Sequence, residues 1–175
     1  YGNVDEVELV LNGKTIRRQT ADKGPDSDYI PVPNGGNGKN LHFPPFTFYG
    51  VPKERGVLKA VGYHQGKKVA EYTVKTPGVP ERLDITYFES GKPATKNDLL
   101  IVYVRMLDKQ GVLCPVNGIP VELSVQGGEI VGPTSYPLEA GVASFLVRTG
   151  EISKININAT GKGFSTRKSL KVGKE

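Results

Sequence analysis

The chain has 175 residues, 23 Lys and Arg against 18 Asp and Glu (formal net charge +5), 22 Gly, 13 Pro, one Cys and no Trp. Its length allows one or two domains, and 37% hydrophobic residues with this many turn formers fit a globular β protein. No apolar run reaches the ~18–20 residues of a membrane-spanning helix, and the basic residues lack the clustering of a nucleic-acid footprint.

The charge is spread evenly. Residues 1–76 hold 11 basic against 8 acidic side chains (+3), and residues 77–175 hold 12 against 10 (+2). The basic pairs Arg17-Arg18, Lys67-Lys68 and Arg167-Lys168 are each interleaved with apolar or acidic neighbours. Cys114 is the single cysteine, so no intrachain disulfide is possible and the redox compartment is not encoded. Tyr1 opens almost directly into the strand-like run Val4 to Leu11, with no initiator or leader, as expected of a piece excised from a longer protein.

In chain order, Glu6 to Leu11 and Lys14 to Arg17 flank Asn12-Gly13, the strongest short hairpin signal because both turn residues need positive φ. Residues 20–40, with Pro25, Pro31, Pro33 and Asn34-Gly35-Gly36-Asn37-Gly38, predict a long polar loop. Phe46 to Tyr49 predicts a short strand after Pro44-Pro45. Gly56 to Tyr63 and Val69 to Val74 predict a second hairpin around His64-Gln65-Gly66. Lys75-Thr76-Pro77-Gly78-Val79-Pro80 is the predicted domain boundary, dividing 1–76 from 77–175. The second block predicts six or seven strands at 83–88, 100–107, 121–125, 142–147, 155–159 and 169–172, a pattern of an immunoglobulin-like sandwich without its Cys and Trp signature. The fold class expected is all-β, two tandem β-sandwich domains.

Several strings resemble the C-terminal accessory region of glycoside hydrolase family 2 enzymes, the β-galactosidase-like glycosidases. They are Asp5 to Lys14, Pro44 to Phe48, and Gly56-Val57-Leu58-Lys59-Ala60-Val61-Gly62-Tyr63, the last similar to a strand of the sandwich that follows the catalytic barrel. Val102 to Gly111 and Val121 to Gly132 resemble the bacterial Ig-like domain that often comes next, although the loop Gly132 to Gly141 is shorter than in many relatives. The resemblance implies a non-catalytic fragment of a periplasmic or secreted β-glycosidase. Its partner would be the catalytic barrel of the same polypeptide, and through that barrel's cleft a glycan. An autonomous carbohydrate-binding or adhesin-type module is the alternative.

Catalysis by such a family implies two glutamates about 5 Å apart in a retaining site, both on the barrel. Glu6 and Glu8 share a strand face but read as solvated neighbours. His42 and His64 lack companions at ligand spacing, so no metal or cofactor is expected. Cys114 reads as a small buried hydrophobe, and Gly35 to Asn40 lacks the spacing and following helix of a phosphate loop. Phe43, Phe46, Phe48, Tyr49 and Tyr63 are the aromatic candidates for a sugar platform. Sugar platforms favour exposed Trp or Tyr, whereas strand aromatics are more often core. Phe46, Phe48 and Tyr49 are therefore expected at an interface with the barrel, with Tyr49 and the 34–43 loop the expected glycan contacts if any exist.

Overall fold

The computed structural model describes residues 2–22, 44–88 and 93–173, and every helix or strand element among them is a β-strand. The protein is all-β, with three antiparallel four-stranded sheets. The 34–43 loop, His42, Phe43 and the Gly35–Asn40 string lie outside the described residues. The chain divides into two compact units, Tyr1–Thr76 and Pro77–Glu175.

The first unit holds β1 (Glu6–Leu11), β2 (Lys14–Thr20), β3 (Val57–His64) and β4 (Lys67–Lys75) in the order β2-β1-β3-β4. Its two hairpins turn on Asn12-Gly13 (φ 50° and 81°) and Gln65-Gly66 (φ 49° and 74°). Two consecutive left-handed residues match the twist of the strands they join. Asn12 does more than turn: its side-chain oxygen accepts from the Val57 N–H at 2.9 Å, and its amide donates to the Arg55 carbonyl at 3.1 Å. One side chain thereby fixes where β3 begins. Register places Glu6 opposite Tyr63 and Glu8 opposite Val61 on one face, with Leu9 opposite Ala60 and Leu11 opposite Leu58 on the other. Leu9, Leu11 and Val61 are buried, whereas the edge strand β4 is exposed along its whole length.

Phe46 to Tyr49 form no strand, contrary to the pattern of their side chains. Adjacent Pro44 and Pro45 remove two backbone donors, and the side chains of β2 and its exit take over the pairing. Gln19 donates to the Thr47 carbonyl at 2.9 Å, while the Asp22 carboxylate accepts the Thr47 N–H at 3.1 Å and its hydroxyl at 2.5 Å. The Asp22 N–H donates to the Pro45 carbonyl at 2.8 Å. The segment lies beside the end of β2 without joining its ladder.

The second unit is a two-layer sandwich. One sheet holds β5 (Pro80–Tyr87), β6 (Leu99–Asp108), β10 (Val142–Thr149) and β8 (Gly128–Ile130) in that order. The other holds β12 (Phe164–Lys171), β11 (Lys154–Gly161), β7 (Pro120–Gln126) and β9 (Ser135–Pro137). Alternate residues point inward, so Val102, Val104 and Met106 of β6 share a core with Ile155, Ile157 and Ala159 of β11, all fully buried. Burying each large aliphatic side chain contributes about 1.5–3 kcal/mol before conformational entropy is counted. The strands β8 and β9, three residues each, go beyond the six or seven expected. They form as the chain crosses from one sheet edge to the other between Ile130 and Ser135.

At the end of β6, Asp108 is buried and accepts the N–H groups of Gly78 (2.7 Å), Val112 (2.8 Å) and Gln110 (2.9 Å). The Gly78 bond leads these in holding the carboxyl below its ordinary value, ahead of the Val112 bond. One carboxylate thus shapes the turn after β6 and ties down the start of the unit.

Candidate functional site

Phe46, Phe48 and Tyr49 are each half-buried beside β2, neither sealed in a core nor raised as a solvent-facing platform. The neighbouring Thr47 is held from both sides by Gln19 and Asp22, so the three aromatics sit on an anchored segment. Among the described residues of the first unit, the large apolar side chains that do stand exposed are Val57, Val69, Tyr72 and Val74, three of them on β4. Among the described aromatics of this unit Tyr72 is the most open, at 73% exposure.

Tyr63, the remaining described aromatic candidate, is already occupied. Its hydroxyl donates to Glu8 at 2.6 Å, and the Arg18 guanidinium lies 3.7 Å from its ring centroid. Arg18 also pairs with Glu6 at 2.7 Å, and the Thr15 hydroxyl donates to Glu8 at 2.6 Å. The Thr15 bond, then the Tyr63 bond, hold the Glu8 carboxyl below its ordinary value, and the same Glu8 bond raises Tyr63. A general acid needs the opposite shift, a carboxyl kept protonated near neutral pH. Glu6 and Glu8 are a cross-strand polar network on a sheet face, and each is committed to a structural partner.

His64, expected in the turn, is instead the last residue of β3, 3.1 Å from Asp5, whose other oxygen accepts the Gln65 N–H at 2.6 Å at the head of the second hairpin. Cys114 is buried within 3.8 Å of the Gly78 carbonyl, and burial pushes its thiol up. Low thiolate content is the reverse of what a nucleophilic cysteine requires. Among the described residues no group of three or more His, Cys, Asp or Glu is placed to hold a metal ion. None forms a helix long and apolar enough to cross a membrane.

One surface escaped the sequence reading. The outward side of the β5-β6-β10-β8 sheet carries Phe88, Leu99 and Ile101, and an open groove of about 270 Å³ is lined by Ile101, Leu146, Val131, Pro133 and Tyr136. The available signal was the run Leu99-Leu100-Ile101-Val102, which is apolar without alternation. Such runs mark strands covered on both faces.

Residues 1–70 match a family model described as a domain of unknown function, DUF4982. The chain is 29% identical over 161 residues to a β-galactosidase of Thermoanaerobacter pseudethanolicus, covering 85% of itself and 20% of that protein. It is 30% identical over 129 residues to a β-galactosidase of Rhizobium radiobacter, covering 73% of itself and 92% of that sequence. Among solved structures, a β-glucuronidase from glycoside hydrolase family 2 superposes with a TM-score of 0.74 over 98% of this chain and 18% of its own, at 22% identity. The chain thus spans about a fifth of the longer relatives it matches. Its β-sheet units, in this order and at this similarity, place it in the β-galactosidase family of glycoside hydrolase family 2, as an accessory region.

Proposed function

We propose that the chain is a non-catalytic C-terminal region of a longer, periplasmic or secreted β-glycosidase, a β-galactosidase by its relatives, and that it buttresses the catalytic barrel. The observation that carries this reading is the match to about one fifth of a β-galactosidase, in a chain whose Glu6 is tied to Arg18 and whose Glu8 is tied to Thr15 and Tyr63. The second unit is read as immunoglobulin-like. What supports this is strand order: β5-β6-β10-β8 parallels the A-B-E-D order of that fold, and β12-β11-β7, to which the short β9 adds an edge, parallels G-F-C. Phe46, Phe48 and Tyr49, on their anchored segment, are the proposed contact of the first unit with the barrel. A stand-alone sugar module is less favoured, because Tyr63 is covered by Arg18 and the three segment aromatics are half-buried.

Purified chain assayed on aryl β-glycosides should release no aglycone, and titration with galactosides and xylosides should show nothing tighter than about millimolar, ~4 kcal/mol of binding. Turnover that survives repurification and is lost in Glu8→Gln would overturn the non-catalytic reading. Micromolar sugar binding mapped to Phe46, Phe48 or Tyr49 would favour the carbohydrate-binding module.

A further inference from the structure

The outward face of the β5-β6-β10-β8 sheet is laid out in rows. Ile101 pairs with Leu146 across β6 and β10, the Phe88 N–H donates to the Ile101 carbonyl, and the Val131 N–H donates to the Leu146 carbonyl. Phe88, Ile101, Leu146 and Val131 therefore form one apolar row crossing the sheet from edge to edge. Leu99 flanks it on β6, and Pro133 walls its far end, beyond which Tyr136 of β9 packs edge-on against Phe145 of the core. Phe88 is 60% exposed, Leu99 51%, Ile101 43% and Val131 38%. Large side chains present roughly 200 Å² each, so these fractions amount to a patch on the order of 400 Å².

Among the described residues, the charges to either side of the row are matched. Arg105 pairs with Asp84 at 2.5 Å on one side, and Arg148 pairs with Glu129 on the other. A partner need bring no charge to either border. The patch is too small for a stable free-standing dimer, which buries about 800 Å² per partner. A domain joined to it through the same backbone needs less, because covalent linkage supplies a high effective concentration and interdomain contacts begin near 600 Å² in total. Row geometry, neutral borders and modest area together describe a covalently linked, uncharged, apolar protein surface.

We propose that this outer sheet face of the second unit docks another folded domain of the longer glycosidase polypeptide, one lying outside these 175 residues. The inference rests on the reading of the chain as part of such an enzyme, and adds a docking face on the second unit to that proposed on the first. It also accounts for β6, whose Leu100, Val102 and Val104 fill the sandwich while Leu99 and Ile101 face outward with no cover among the described residues.

Thiol footprinting tests it, helped by Cys114 being only 2% exposed. Ile101→Cys, Phe88→Cys and, as a control on the exposed turn after β6, Lys109→Cys are made both in the 175-residue chain and in the full glycosidase polypeptide that carries it. Maleimide labelling is followed site by site by mass spectrometry. Labelling at the two row positions should be at least tenfold slower in the full polypeptide and unchanged at the control. Equal rates in both contexts overturn the docking face while leaving the glycosidase reading intact. Protection within the 175-residue chain alone that grows with its concentration assigns the face to a second copy, and protection by added neutral oligosaccharides assigns it to a glycan; either overturns the proposal. A natural polypeptide that contains no barrel overturns both readings.

Discussion

Truncation of Ile157 to Ala measures how strongly the second unit depends on its own core. Ile157 sits in the middle of β11, fully buried, with Ile155 and Ala159 two residues away on the same face and Val125 directly opposite on β7. Removing its three outer carbons from a site closed by two sheets costs about 2–5 kcal/mol, the spread reflecting how far the walls can collapse. Rigid cross-strand pairing on both sides limits collapse, so a value near ~3 kcal/mol is expected. With an unfolding entropy of ~2.1 cal/mol/K per residue over a domain of roughly 100 residues, that corresponds to a fall of about 14 °C in Tm. Differential scanning calorimetry on the whole chain is the assay, with Leu9→Ala in β1 identifying the transition of the first unit. Two transitions are expected, of which Ile157→Ala lowers only one. A single transition that moves as a whole would refute the independence of residues 1–76 and 77–175. A shift below about 5 °C would refute the packing argument.

Gly141 has φ +85°, and a Cβ there would stand 2.1 Å from the Cys114 carbonyl oxygen, whereas Gly132 has φ +116° with open space around it. Gly141→Ala should therefore lower the second transition far more than Gly132→Ala; comparable losses would show that backbone strain alone sets both. The Asp108 carboxyl is held below its ordinary 3.8 by the Gly78 N–H first and the Val112 N–H next, so it stabilises the fold above that value and loses the effect as pH falls through its lowered one. Melting followed from pH 7 to pH 2 should thus show a shallower acid limb in Asp108→Asn than in the parent, and parallel limbs would exclude the carboxylate as its source. Cys114 should react with Ellman's reagent only as fast as the second unit opens; stoichiometric labelling of the native chain within seconds would contradict its burial.

Local chemistry was enough to read most strands and the turn of the first hairpin from the residues, although β2 runs on to Thr20, past the Arg17 expected. Asn12-Gly13 specifies a left-handed two-residue turn wherever it falls between extended runs, whereas Pro80, which the sequence pattern left in the linker, opens β5 as its first residue opposite Asp108. The runs 142–147 and 155–159 were legible as strands, and the two-layer sandwich then decides which alternate residues, Val147, Ile155 and Ile157 among them, turn to the core. Where the partner of a residue lies far along the chain, the pattern is silent. Phe46 to Tyr49 alternate like a strand, but Asp22 and Gln19, more than twenty residues upstream, hold them outside the ladder. Short β8 and β9 exist only because β10 and β7 offer edges to pair with. Glu6 and Glu8 look alike in sequence, and only the folded sheet gives the first to Arg18 and the second to Thr15 and Tyr63, the Arg18 and Tyr63 bonds running diagonally to a register that sets Arg18 opposite Glu8 and Tyr63 opposite Glu6. The apolar row over β5, β6, β10 and β8 draws one residue from each of four segments, from Phe88 to Leu146. Sequence fixes what each of those side chains is; the hydrogen-bonded register of the sheet decides that they meet on one surface.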